Sequence, residues 1–199
     1  FRMRYGEAAS FLASGQNERP KGLLEAGFRF VKPTIEDFFE GTDHAAVDRL
    51  DLHRYMGTWY EIARFDHRFE RGLSEVTATY TLMPDGTVRV ENRGCKHKKP
   101  YDVCKTAEGR AKIPDPSQPG KLKVSFFLSF YSDYYVLELD QDEYNYALIG
   151  SSSDKYLWIL SRAPILPEEI KKKLLDAATR RGYDVKKLIW VEQREKKIM

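Results

Sequence analysis

Gly57-Thr58-Trp59-Tyr60-Glu61 and Trp158-Ile159-Leu160-Ser161-Arg162 are the two stretches that decide the fold. The glycine lets the chain turn sharply into a first strand, and Trp59 takes the next inward position. The late arginine can then lie over the indole of Trp59. Together these landmarks predict a β-barrel whose closed end has Gly57, Trp59 and Arg162 as its structural motif.

The chain between these landmarks alternates apolar and polar residues with period two, which is typical of strands with one buried face. Turn signals separate the strands at Met83-Pro84-Asp85-Gly86 and in the proline-rich segment 114–120. The predicted strands are 58–65, 76–82, 87–93, 107–113, 122–127, 134–139, 144–150 and 156–161. Because the connections are short, we expect an all-β fold, an eight-stranded antiparallel up-and-down barrel.

A helix is predicted directly after the last strand. Pro167 favours the first helical position and Gly182 a left-handed stop. Its apolar face should pack on the barrel wall and consists of Ile170, Leu174, Leu175 and Ala178. Residues 188–191 then predict a short added edge strand.

The size of the inward residues decides whether the barrel is filled or hollow. Small residues such as Ala78 and Gly109 leave room, so we expect a cavity for one small ligand. Both phases of the sixth and seventh strands are apolar, and the pattern does not decide which of them faces inward. The predicted ligand-binding residues are Glu61, Ala63, Phe69, Val76, Ala78, Tyr80, Val90, Asn92, Ala111, Leu122, Val124, Phe126, Tyr134, Val136, Ala147, Ile149, Tyr156 and Trp158.

Three ordered motifs resemble those of a known family. They are Gly57-x-Trp59-Tyr60, the acidic and tyrosine-rich turn in 140–147, and Ser161-Arg162 before a helix. This order is similar to that of the lipocalins, and the stretch 57–73 resembles the bacterial outer-membrane members in particular, over about residues 47–191. The resemblance implies a carrier of fatty acid or lysophospholipid, with a role in membrane lipid maintenance and a periplasmic, outer-membrane or secreted location.

The loops after the odd-numbered strands should share the open end of the barrel, which we call the mouth. Basic residues there would suit the anionic headgroup of an amphiphile, the alternative being an ordinary solvated rim. The predicted basic rim is Arg68, Arg71, Lys96, Lys98 and Lys99. An apolar loop at 128–131 would suit a membrane surface or a second copy of the chain, giving a homodimer.

The two cysteines, Cys95 and Cys104, flank one hairpin loop. A disulfide between them would indicate an oxidising compartment. The alternatives are two reduced thiols or a metal site of Cys95, His97 and Cys104, which lacks a fourth ligand.

Residues 1–45 predict an N-terminal extension of unknown role, and 46–199 the barrel domain. Short helices are expected at 7–13 and 34–40, with Phe38 and Phe39 available to cover the barrel wall. The alternative is that this segment is a tail packed loosely against the barrel. Because the sequence starts at Phe1, we expect a shortened or processed chain, in which no signal or anchor is visible.

Composition limits the function further. A formal net charge of +3 is too small and too dispersed for nucleic-acid binding. The scattered histidines His44, His53, His67 and His97 lack any nucleophile motif. We therefore predict neither an enzyme nor a cofactor, and no resident metal. Two alternatives to lipid carriage remain: a binder of a pigment, haem or other flat hydrophobe, and an assembly protein that uses its mouth loops.

Overall fold

The computed structural model describes residues 41–97, 101–127 and 130–194. Two helices are numbered α1 (Leu52–Tyr55) and α2 (Glu168–Arg180), with a 3₁₀ turn at Val185–Lys187. The strands are β1 (Gly57–Phe65), β2 (Ser74–Leu82), β3 (Val88–Lys96), β4 (Val103–Lys112), β5 (Lys121–Phe127), β6 (Phe130–Leu139), β7 (Tyr146–Gly150), β8 (Trp158–Ser161) and β9 (Leu188–Trp190). The predicted extension lies mostly outside the described residues, so its helices and the domain division stay predictions.

The sheet closes on itself as an antiparallel barrel. Its strand order is β2-β3-β4-β5-β6-β7-β8-β1-β9, and β1 also pairs with β2. The eight-stranded barrel, the added strand and the C-terminal helix predicted from the sequence are therefore confirmed. Along most strands successive side chains alternate, so that one set faces the interior and the other faces out.

Two apolar clusters lie on opposite sides of the barrel wall. The inner cluster includes Val136 and Ile149, and the outer cluster under α2 includes Leu137 and Leu148. Val136 and Ile149 therefore face the interior, and Leu137 and Leu148 face outward. The sequence pattern had left this open for β6 and β7. Leu174 and Ala178 of α2 are buried in the outer cluster. Gly182 ends that helix region with a φ of 87°, which is the left-handed stop expected of a glycine.

The closed end of the barrel, which we call the floor, is built around Trp59. The Cζ of Arg162 lies 3.9 Å from the centroid of the Trp59 ring, and the indole Nε1 donates to the Tyr55 carbonyl at 2.9 Å. Gly57 has a φ of 93°, and a Cβ there would lie 3.3 Å from Arg162 Nη1. The glycine therefore provides both the turn and the space for the arginine.

The ends of several strands differ from the prediction. β7 begins at Tyr146, because Tyr144 adopts a φ of 59° and lies in the preceding turn. β3 and β4 extend further toward the mouth than predicted, and Cys95 pairs with Cys104 across them. Alternation alone missed these extensions because residues 103–108 are exposed on both phases.

Candidate ligand cavity and its mouth

Most of the predicted inward residues lie in the inner cluster. Those that are buried there are Tyr80, Val90, Ala111, Leu122, Val124, Val136, Ala147 and Ile149, and Ala78, Tyr134 and Trp158 pack against them with part of their surface accessible. Val76 is also buried, and a Cβ on the opposite Gly94 would lie 3.1 Å from it. The interior is apolar over most of its height.

Accessibility differs between the two ends of the interior. Near the floor, Trp59 and Tyr55 are at most 1% exposed. Toward the mouth, Phe126 is 44% exposed, although its ring lies against Gly109 on the inward face of β4. Ala78, directly opposite Trp59, and Asn92 also keep accessible surface despite pointing inward. The interior is therefore closely packed at the aromatic floor and more accessible toward the mouth.

The prediction that Ala63 faces the cavity was wrong. The pairing of β1 with β8 shifts register between Glu61 and Ala63, so that one extra residue is accommodated there. As a result Ile62 and Ala63 both lie in the outer cluster, and the next residue, Arg64, turns inward. The apolar stretch around the shift gives no sequence signal for it.

A buried, hydrogen-bonded pair of Glu61 and Arg64 results from this register shift. Arg64 is 2% exposed and Glu61 is 4% exposed, and the Arg64 Nη1 donates to Glu61 Oε1 at 2.5 Å. Burial raises the pKa of Glu61 to about 8, with the nearby Glu70 carboxylate acting in the same direction and Arg64 opposing it. Glu61 is thus a neutral, hydrogen-bonded wall residue at neutral pH.

Arg64 also holds the loop between β1 and β2, residues 66–73, over the mouth. Its Nη2 donates to the carbonyls of Glu70 at 2.7 Å and Leu73 at 3.1 Å. We call residues 66–73 the mouth loop. Arg64 therefore attaches the mouth loop to the inner wall of β1.

The Glu70 side chain makes a second attachment of the mouth loop. Its Oε2 accepts from the Trp158 indole at 3.2 Å and lies 2.7 Å from His67 Nε2. Burial opposes ionisation of Glu70, but His67, Trp158 and Arg64 together lower its pKa below the ordinary value. Tyr156, 37% exposed, stacks on Trp158 with ring centroids 5.8 Å apart, so it lies at the edge of the mouth.

The rim carries exposed cations beside exposed aromatic rings. Arg68 lies over the Phe69 ring at 4.7 Å, and Phe69 is 73% exposed, so Phe69 belongs to the rim and does not line the cavity as predicted. Arg71 is paired with Asp66 at 2.7 Å, whereas Lys96 is exposed at the end of β3. Phe130 and Tyr131 are exposed as well. Lys98, Lys99 and Leu128 lie outside the described residues.

Cys95 and Cys104 form a disulfide across β3 and β4. Because the two sulfur atoms are bonded to each other, they do not bind a metal as thiolates. The alternative prediction of a metal site with His97 is therefore wrong. His97 instead lies between two carboxylates, 3.3 Å from Glu75 and 2.8 Å from Asp102. Arg194 also pairs with both carboxylates, so the positive and negative charges of this cluster largely offset one another.

A chain of three tyrosine hydroxyls crosses the interior just above the floor. The Tyr134 Oη lies 2.7 Å from the Tyr55 Oη and 3.0 Å from the Tyr80 Oη. Burial raises the pKa of Tyr55 and Tyr134 well above the ordinary value and that of Tyr80 to about 12, so all three are neutral. The sequence predicted Tyr80 and Tyr134 as lining residues but gave no sign of this chain.

Outside the barrel, a surface depression of about 470 Å³ is lined by small and polar residues, among them His44, Ser152 and Asp154. Such a lining does not suit an apolar ligand. Within the described part of the chain, no helix has the length and apolar character needed to cross a membrane.

Comparisons with known proteins agree with this architecture. A family profile described as a lipocalin-like domain matches residues 50–193. The chain is 50% identical to the outer membrane lipoprotein Blc of Escherichia coli (strain K12) over 147 residues, 74% of this chain and 81% of that protein. It is 34% identical to apolipoprotein D of Mus musculus over 154 residues, 73% of this chain and 78% of that protein. The structure of insecticyanin from Manduca sexta superimposes with a TM-score of 0.63 at 23% identity, covering 78% of this chain and 87% of that one.

Proposed function

The chain belongs to the lipocalin family, and we propose that it carries a fatty acid or a lysophospholipid, with the acyl chain in the upper half of the barrel and the anionic headgroup at the mouth. Lipocalins are in general binding or transport proteins for small hydrophobic ligands and not enzymes. The proposal concerns the identity of the ligand and its orientation.

The observation that carries the proposal is the combination of a partly accessible apolar interior with exposed cations at the mouth. Ala78 and Phe126 leave accessible apolar surface inside the barrel, and an acyl chain gains roughly 0.8 kcal/mol for each methylene group that it buries there. Arg68 and Lys96 are exposed at the rim, where a phosphate or carboxylate would stay hydrated and still meet positive charge.

The location that we propose is the cell envelope, in the periplasm or at the outer membrane. Support comes from the disulfide, which persists in oxidising compartments, and from similarity to proteins named outer membrane lipoprotein. The exposed aromatic residues Phe130 and Tyr131 at the mouth would suit contact with a membrane surface, where aromatic side chains are favoured.

Filling the cavity tests the proposal. Ala78→Trp adds an indole to the inner wall beside Trp59, its cross-strand neighbour, so we expect binding of a fluorescent fatty-acid probe to be lost while the ligand-free protein keeps its stability. Thr81→Trp is the matched control, because Thr81 is exposed on the outward face of the same strand. If the interior were packed, Ala78→Trp would cost roughly 1 to 3 kcal/mol and the parent would not bind the probe. As an independent measurement, native mass spectrometry of the purified parent identifies any acyl lipid that it retains.

A further inference from the structure

The three-tyrosine chain has one more O–H donor than it has hydrogen bonds. Each of the three hydroxyls carries one proton, and the two hydrogen bonds among them use two of these protons. Among the residues that the structure describes, no other acceptor is within hydrogen-bonding distance of these hydroxyls. One O–H group therefore remains unpaired in the interior, whichever direction the chain of bonds takes.

An unpaired acceptor lies close by on the same inner wall. The Oδ1 atom of Asn92 is buried and has no hydrogen-bond partner among the described residues. Asn92 is opposite Ala78, and Tyr80 is two residues from Ala78 on the same face. Diagonal neighbours of this kind lie about 7 to 8 Å apart between Cα atoms. Tyr80 and Asn92 thus lie on the same part of the inner wall.

Unpaired buried polar groups are costly, so two of them on one part of the inner wall are candidates for pairing with a polar group of a ligand. A methylene chain offers neither an acceptor nor a donor. A hydroxyl group accepts one hydrogen bond and donates another, so it can satisfy the tyrosine O–H, the Asn92 Oδ1, or both. Tyr134, whose hydroxyl bonds to both of the others, is only partly buried.

We propose that the tyrosine chain and Asn92 form a polar subsite that selects acyl chains carrying a hydroxyl group in the half of the chain remote from the headgroup. The inference rests on the proposed function, because it assumes that the headgroup stays at the mouth and the tail points to the floor. The subsite lies just above the floor, so the hydroxyl belongs near the methyl end of the chain.

The test compares octadecanoic acid with its 12-hydroxy and 18-hydroxy derivatives by displacement of a fluorescent fatty-acid probe. We expect at least one hydroxylated acid to bind about five- to tenfold more tightly than the unsubstituted acid, in line with one or two net hydrogen bonds. Asn92→Leu, which is nearly isosteric, should reduce that preference to about twofold or less while leaving the binding of octadecanoic acid within about twofold. Thr81→Val, on the outward face, is the control and should retain the preference.

A second measurement shows that the variant is folded. Because Asn92→Leu removes a buried acceptor without a partner, the ligand-free variant should melt at the same temperature as the parent or higher. Equal affinity of the parent for plain and hydroxylated acids would overturn the subsite and leave the proposed function standing. A preference that survives both Asn92→Leu and Tyr134→Phe would also overturn it. If the parent bound none of the acids, the proposed function itself would fail.

Discussion

Removing Arg162 is the most direct way to test how the closed end of the barrel is held. Its guanidinium lies over Trp59 at 3.9 Å and donates to three backbone carbonyls, those of Tyr144 at 3.3 Å, Thr58 at 3.1 Å and Arg54 at 2.7 Å. These carbonyls belong to the turn before β7, to β1 and to α1. A single side chain therefore ties together three separate parts of the floor.

The expected loss follows from these contacts. A cation over an aromatic ring contributes about 0.5 to 2 kcal/mol, and hydrogen bonds from a charged donor about 1.5 to 3 kcal/mol, reduced where the group meets water. Arg162 keeps part of its surface exposed, so we expect Arg162→Ala to lower the free energy of unfolding by about 2 to 4 kcal/mol. For a chain of this size that corresponds to a fall of about 5 to 12 °C in Tm.

Thermal unfolding followed by circular dichroism measures this change without relying on Trp59 fluorescence. Arg162→Lys should give an intermediate loss, because an ammonium keeps the charge but not the planar fork. Arg110→Ala is the matched control, since Arg110 is exposed and its ion pair with Asp85 at 3.6 Å should contribute less than about 1 kcal/mol. A Tm for Arg162→Ala within about 2 °C of the parent would refute this account of the floor.

The other predictions concern the disulfide, the buried carboxyl group and the rim. Unfolded, unreduced protein made in an oxidising compartment should show no titratable thiol, and opening the short loop between Cys95 and Cys104 should cost about 2 to 3 kcal/mol; two reactive thiols would contradict the pairing. Because the pKa of Glu61 is raised to about 8, the folded state holds a proton that the unfolded state releases above about pH 4.3. The stability from this group is complete below that pH and is lost as the pH rises toward about 8. Relative to the parent, Glu61→Gln should therefore gain stability by up to about 1.4 kcal/mol per pH unit in this window, and denaturant unfolding at about pH 5 and pH 8 measures the difference; a constant difference would argue against a buried, protonated Glu61. Glutamine at the basic rim positions should weaken the binding of fatty acid but not of an uncharged hydrophobe, and the effect should shrink with added salt; equal losses for both ligands would mean that the rim only controls access. The positions are Arg68, Arg71, Lys96, Lys98 and Lys99.

The barrel could be predicted from the sequence because its signals are local. Alternation in β2, β3 and β5 fixes the faces of those strands, and Pro167 and Gly182 bracket the helix closely. The contact of Arg162 with Trp59 was predicted because an arginine after the last strand can lie over an indole in the first strand as a cation–π pair.

The features that the sequence did not reveal depend on geometry over longer distances. The register shift at Glu61 arises where β1 meets β8, and the surrounding residues are apolar on both phases, so alternation gives no warning. Arg64 consequently had no predicted role, although it attaches the mouth loop. The three-tyrosine chain joins α1, β2 and β6, and no spacing along the chain indicates that their hydroxyls meet.

The inward charges of β1 also bear on how the chain avoids aggregation while it is being synthesised. The later partners of β1 are β8 and β9, which lie far downstream, so a nascent chain holds one edge of β1 unpaired until they emerge from the ribosome. Long-range pairing of this kind is slow. An inward-pointing charge is one of the devices by which natural sheets discourage pairing with a foreign strand. Glu61 and Arg64 would make such a misplaced pairing costly during that interval.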